Sequence, residues 1–236
     1  MTKIIKEISV FFPAYNLESQ IEETVVKAFS VVPKLAEKYE IIVIEDGSRD
    51  KTGEILDRLK SEYKDLKIIK HKVNRGYGGA LKSGFYNSKY SWIAFTDADG
   101  QFDICELPKL IKKQKETGAD LVAGFYLKRA VSFYRKVNTW IWQLIVRILF
   151  GLKVKDIDCG FKLIKKEIID IIPKLESERG AFISSELLIK TQKYGFKIVE
   201  IGVHHFPRVE GKGTGAALNV IIKSFVDLFK LWEKLR

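Results

Sequence analysis

Residues 92–103, WIAFTDADGQFD, place Asp97, Asp99 and Asp103, with Gln101, directly after an apolar run. Two carboxylates one residue apart at a strand end can hold a hard divalent ion such as Mg2+ or Mn2+. Such ions take oxygen ligands, and in phosphate sites Mg2+ commonly uses only one or two protein carboxylates. The competing reading is a loop in which Asp97 or Asp99 caps a helix beginning near Ile104. A calcium loop fails on spacing. Counted from Asp97, the position that needs glycine holds Phe102 and the one that needs glutamate holds Pro108.

Other polar stretches follow apolar runs in the same way. NRGYGGALKSG (74–84) superficially resembles two phosphate loops, but Leu81 stands where each needs a glycine. What remains is a glycine-rich helix entry where backbone can approach a ligand, or simply a tight turn. In EDGSRDKT (45–52), Ser48 or Asp50 could cap the next helix, while Asp46 is better placed to accept hydrogen bonds from a nucleoside. Adjacent His204 and His205 end a strand whose alternation sends them to opposite faces, which argues against a metal site. His71 reads as a surface residue.

These stretches need a frame to bring them together. Strands are expected at 8–15, 40–47, 66–71, 91–99 and 119–125. Helices are expected at 18–38, 51–63, from Gly76 and at 104–117. Short apolar strands separated by helices define the α/β class, a mostly parallel sheet flanked by helices. Ligands in such sheets bind beyond the carboxyl ends of the strands. Here those ends are PAYNLE, EDGS, NRGYGG and DADGQ, all polar or glycine-rich.

After residue 125 the pattern changes. Residues 132–152 are apolar over most of a helix, with a polar strip at Arg135, Thr139, Gln143 and Arg147. The last segment puts Leu218, Ile221, Ile222, Phe225, Leu228, Phe229, Trp232 and Leu235 on one face. The expected organisation is a domain over 1–215 and a C-terminal amphipathic helix over 216–236.

Composition narrows the partners. The 236 residues, 46% hydrophobic and 12% aromatic, describe a globular chain with room for one substantial core. A net charge of +11 suits an anionic partner. No aromatic-basic platform for a single strand is apparent, so nucleic acid is not expected. Two cysteines without zinc spacing point to a reducing compartment. The N-terminus lacks a signal-peptide layout, and no apolar run reaches about 18 residues, so no transmembrane helix is expected.

PAYNLE, EDGSRDKT, NRGYGGALKSGF and DADGQFD, in this order and spacing, resemble family-2 glycosyltransferases with the Rossmann-like GT-A fold. DCGFKLI (158–164), GAFISSELLIK (180–190) and HHFPRVEGKGTG (204–215) extend the resemblance over nearly the whole chain, toward the polyprenyl- and dolichyl-phosphate mannose and glucose synthases. It implies inverting transfer of a hexose from a GDP- or UDP-linked donor to a lipid phosphate. By the same resemblance Pro13, Ala14, Tyr15, Asn16, Glu18 and Asp46 surround nucleobase and ribose, and Gly76 and Lys82 line the nucleotide side. Asp97, Ala98 and Asp99 meet the sugar nucleotide, with Asp97, Asp99 and Gln101 holding Mg2+ or Mn2+ and Asp99 serving catalysis. Glu45 departs from the Asp-Asp-Gly-Ser often found in the family.

A lipid phosphate oxygen is already anionic at neutral pH, so the acceptor calls for cations more than for a base. Arg135, Arg208 and Lys212, with Lys128 and Arg129, are the candidates. The resemblance favours Arg135 and Arg208 as catalytic phosphate-binding arginines. Glu186 either orients a loop or, in an alternative reading, acts as base toward a sugar hydroxyl in polysaccharide or glycan synthesis. The two amphipathic helices are expected in the interface of the cytoplasmic membrane face, apolar side inward, helped by Trp140, Trp142 and Trp232. The competing expectation is packing on the core or a partner subunit. Any firm anchor would come from a separate membrane protein. A basic membrane-binding module without catalysis is a third reading, against which intact Asp97 and Asp99 speak.

Overall fold

The computed structural model describes residues 3–128, 133–178, 182–207 and 218–235, with side chains of 133–136 and 218–223 outside that description. The first half alternates as the apolar runs predict: β1 (Ile5–Ala14), α1 (Ile21–Leu35), β2 (Ala36–Glu45), α2 (Thr52–Glu62), β3 (Leu66–Lys70) and α3 (Gly76–Asn87). Then come β4 (Trp92–Phe95), a 3-10 turn (Ile104–Glu106) entering α4 (Leu107–Thr117), and β5 (Leu121–Tyr126). The second half adds α5 (Phe133–Phe150), β6 (Lys162–Lys165), α6 (Lys166–Ile171), α7 (Phe182–Lys193), β7 (Ile198–Val203) and α8 (Leu218–Leu235).

The strands form one sheet in the order β3-β2-β1-β4-β6-β5-β7. Its pairs are parallel except around β6, which runs antiparallel to both β4 and β5. β6, a four-residue strand that begins in DCGFKLI and ends at Lys165, is not among the strands expected from the sequence. The sequence also predicts a first helix running to residue 38. The helix stops at Leu35 because Ala36 already pairs with Ile5 in the β1–β2 ladder, and that pairing overrides local helix preference.

Alternation along β1 sends Ile8, Val10 and Phe12 to one face, where Ile21, Val25, Ala28 and Val32 of α1 cover them together with α2 and α4. Phe11 points to the other face and stacks on Phe95 (5.2 Å between centroids), with Phe85 of α3 edge-on to both. Gly84 makes this possible, since a methyl group there would overlap the Phe11 ring. Each of these fully buried rings contributes on the order of 1.5–3 kcal/mol by leaving water.

Of the two C-terminal amphipathic helices, α8 follows the competing expectation of packing on the core. α8 packs Leu228 and Leu231 into the second core, brings Phe225 to 5.3 Å from Trp142, and pairs Lys234 with Glu176 at 2.6 Å. Its apolar stripe therefore meets protein, leaving Val226 and Phe229 exposed. Trp142 also turns inward, donating from Nε1 to Ser185 Oγ at 3.0 Å. α5 is two-sided: Val146 is buried, whereas Val137, Trp140, Ile141, Leu144 and Ile148 are exposed along one flank. No described helix is long and apolar enough to cross a membrane.

Candidate active site

β1 and β2 end side by side, with Ala14 opposite Glu45, so PAYNLE and EDGSRDKT leave the sheet together and interlock. Asn16 donates its amide to Ser48 Oγ (3.0 Å) and accepts from Arg49 N at Oδ1 (2.8 Å). Glu18 N donates to Asp50 Oδ2 (3.1 Å), and Glu18 Oε2 accepts from Lys51 N (3.0 Å). Glu45 closes its own turn by accepting from Ser48 N at 2.5 Å. Asn16 holds a left-handed φ of +53°, which asparagine tolerates better than most side chains. Pro13 and Ala14 remain buried in the strand, while Tyr15 is 40% exposed at the rim.

Asp46 is enclosed where β2 ends. Its carboxylate is 2% exposed and takes four donors. Oδ1 meets His71 Nδ1 (2.5 Å) and Arg75 N (2.9 Å), and Oδ2 meets Asn74 Nδ2 (2.9 Å) and Gly76 N (2.8 Å). These bonds shape the Asn74–Gly76 turn. His71, expected on the surface, has a side chain only 7% exposed.

The glycine-rich entry to α3 approaches protein closely. A Cβ on Gly78 would lie 2.6 Å from Ser177 O, and Gly79 N donates to Glu178 O at 2.8 Å. Lys82, expected on the nucleotide side, pairs with Glu178 Oε1 (3.1 Å) and reaches Glu176 O (3.3 Å). Arg75 pairs with the same Glu178 carboxylate (3.1 Å). The Lys82 and Arg75 hydrogen bonds hold that carboxyl below its usual range.

β4 leaves the ladder after Phe95, and the chain turns to carry Asp97 and Asp99 at the end of β4, next to the carboxyl end of β1. Asp97 Oδ1 accepts from the Tyr77 hydroxyl at 2.8 Å. Burial, reinforced by Asp97, pushes the Tyr77 phenol well above its ordinary range, so it stays a donor. Gly160, in DCGFKLI, lies so close that a Cβ there would overlap Asp97 Oδ2. Asp99 is 5% exposed and accepts from Gln101 N at 3.1 Å. Capping of the next helical turn falls to neither. Asp103 does it, accepting from Cys105 N at 2.9 Å and pairing with Lys27.

Gln101 is fastened from the far edge of the sheet. Its side-chain Nε2 lies 3.0 Å from His205 Nε2, and its backbone carbonyl accepts from Phe206 N at 2.9 Å. The His205 ring packs edge-on to Tyr126 (4.5 Å) and Phe102 (5.5 Å). His204 goes the other way, to Glu106, through N (2.8 Å) and Nδ1 (2.9 Å). The alternation predicted for this pair is thus present.

The donor set at DADGQ is all oxygen: two carboxylates and the Gln101 side-chain oxygen Oε1 from one turn, beside a glycine that leaves no room for a side chain. Among the described residues no cluster of three His, Cys, Asp or Glu forms a self-sufficient metal site. That pattern fits Mg2+ or Mn2+ completed by phosphate oxygens and water, and does not fit a closed structural zinc site. Beneath it lies Lys162, fully buried in β6, donating to the carbonyls of Cys159 and Ile157 and 5.7 Å from the Phe95 ring centroid. Burial lowers its pKa, against the pull of Cys159, Asp156 and Asp158. Its carbonyl bonds fix the loop that brings Gly160 to Asp97. Tyr77, Gly160 and Lys162 escaped the sequence reading, although a lysine inside the apolar FKLI was a visible signal.

Glu186 is 1% exposed and fully engaged. Oε1 accepts from Glu176 N (2.8 Å) and Lys190 Nζ (2.7 Å), and Oε2 from Ser177 N (3.0 Å). It holds the backbone at 176–177, beside the Lys190 bonds to the carbonyls of Pro173 and Lys174. Lys128 is exposed just beyond β5. Residues Arg129, Arg208 and Lys212, and the side chain of Arg135, lie outside the described residues.

The arrangement has known counterparts. The chain belongs to glycosyl transferase family 2, whose model matches residues 9–172. It is 31% identical to the dolichyl-phosphate beta-glucosyltransferase of Dictyostelium discoideum, over 84% of this chain and 65% of that one. It is 30% identical to the undecaprenyl-phosphate 4-deoxy-4-formamido-L-arabinose transferase of Salmonella choleraesuis, over 92% of this chain and 65% of that one. The chain thus spans just under two thirds of these curated relatives. Among solved structures, glucosyl-3-phosphoglycerate synthase from Mycobacterium tuberculosis, crystallised with Mn2+, UDP and glucosyl-3-phosphoglycerate, superposes with a TM-score of 0.71. Identity there is 20%, covering 94% of this chain and 79% of that one. This likeness establishes the fold, which is GT-A.

Proposed function

We propose that the chain transfers a hexose, mannose or glucose, from a GDP- or UDP-linked donor to a polyprenyl or dolichyl phosphate, with inversion, on the cytoplasmic face of a membrane. The observation that carries this reading is the Asp97–Asp99 turn, held between Tyr77 and Gly160 at a GT-A strand end. Two similar relatives named as polyprenyl-phosphate sugar transferases support the acceptor class. Tyr15 and the ordered Asn74–Gly76 turn would receive the nucleoside. Asp97, Asp99 and Gln101 Oε1 would hold Mg2+ or Mn2+, which when bound supplies positive charge for the departing diphosphate.

The chain's own groups do the rest. The Tyr77 hydroxyl orients Asp97, and the Gln101 backbone amide orients Asp99. The acceptor is an anion, so its oxygen needs positioning and charge balance, not deprotonation. Lys128, Arg129, Arg135, Arg208 and Lys212 are the proposed cations. The commitment of Glu186 to the backbone at 176–177 speaks against the hydroxyl-acceptor alternative. The exposed flank of α5, Val137, Trp140, Ile141, Leu144 and Ile148, is the proposed membrane contact. α8 is left to the core, and a separate anchor protein remains part of the proposal.

The test incubates the protein with Mn2+ or Mg2+, polyprenyl phosphate and a panel of labelled nucleotide sugars, then measures organic-extractable label. Label from one donor, dependent on metal and lipid phosphate, supports the proposal. Label appearing only on sugar or glycan acceptors would sink it.

A further inference from the structure

We propose that His71 is a positioning residue for nucleotide binding, acting through Asp46 on the Asn74–Gly76 turn. This rests on the reading that the strand-end loops receive a nucleotide diphosphate. His71 lies just beyond β3, where its amide donates to Glu45 O at 2.8 Å. Its ring spans from Asp46 Oδ1 (2.5 Å from Nδ1) to Ser83 Oγ of α3 (2.8 Å from Nε2). The His71 and Asp46 side chains are 7% and 3% exposed, so little water competes.

A neutral imidazole has one donor and one acceptor, and an ionised carboxylate only accepts. Nδ1 is therefore placed to donate to Asp46, and Nε2 meets the Ser83 hydroxyl, which can donate or accept. Ser83 thus fixes the ring, the ring fixes one carboxylate oxygen, and the carboxylate fixes the amides of Arg75 and Gly76. The turn needs such support. Gly76 has φ +82°, and Gly47, at φ +68°, is packed so tightly that a Cβ would lie 2.7 Å from Asn74 N. The order Ser83–His71–Asp46 is also that of a hydrolytic triad. Ser83 sits inside α3, however, where neighbouring amides serve the helix and offer no oxyanion site.

Two substitutions separate positioning from space filling. Asparagine can present its amide near the place of Nδ1, and glutamine near that of Nε2. In titrations of UDP and GDP with Mn2+, His71→Asn should keep the wild-type affinity within about threefold, whereas His71→Gln should weaken it about tenfold, as losing a charge-assisted hydrogen bond requires. In transfer assays the same loss should appear in donor KM, with kcat within about twofold. A space-filling role ranks the pair in reverse, because glutamine is nearer histidine in volume. Reverse or equal ranking overturns the inference. Ser83→Ala, which removes only the outer contact, should weaken nucleotide by about threefold; unchanged affinity counts against it even where a His71 variant fails to fold. If wild type binds neither UDP nor GDP, the nucleotide reading falls first and this inference with it.

Discussion

Two acidic turns leave the sheet on either side of β1, at the ends of β2 and β4. Asp46 is enclosed by His71, Asn74 and two backbone amides, and its charge organises a neighbouring loop. Asp97 and Asp99 are steadied by Tyr77 and Gln101 beside a glycine, in a set that suits a cation carrying phosphate. The same residue type at equivalent places in the topology therefore sits in different surroundings. What separates them is what each turn faces. The β2 turn faces the amide-rich start of α3, and the β4 turn faces Gly160.

Substitutions can break this comparison. Asp99→Ala should lower turnover by about a thousandfold, the upper range for removing one electrostatic element, with Tm within about 3 °C of wild type. A large loss of Tm would make Asp99 another Asp46. Asp46→Ala should also cost stability, about 3 kcal/mol, by stranding four buried donors. Thermal melts should then fall by about 6–12 °C, and an unchanged melt would erase the distinction. Glu186→Gln, at a third enclosed carboxylate, should cost about 2 kcal/mol of stability and leave transfer to lipid phosphate within about threefold. Near-total loss of transfer would restore Glu186 as a base. The smallest effect is expected outside the site. Trp140→Ala with Ile148→Ser on α5 should reduce binding to anionic liposomes a few-fold, whereas Val226→Ser on α8 should not, and equal losses would put both helices on the membrane.

The alternating frame of the first half was legible because apolar period and strand-end polarity are local signals. The acidic turn at 97–101 was legible for the same reason. What the sequence hid came from distant contacts. β6 is a four-residue strand defined only by its neighbours, and Gly160 matters only because it reaches Asp97 across the sheet. His71 looked superficial because nothing local shows that Asp46 and Ser83 close over it. The Lys82–Glu178 pair was hidden because the two residues lie 96 positions apart. α8 looked interfacial because an apolar stripe reads identically whether it meets lipid or protein.

Manganese binding tests the account most directly. Titrated into the protein with UDP or GDP present and followed by the electron paramagnetic resonance of free Mn2+, the metal should bind wild type. Affinity should fall at least about tenfold in Asp97→Asn and in Asp99→Asn. Unchanged binding in both variants would contradict a cation held at that turn.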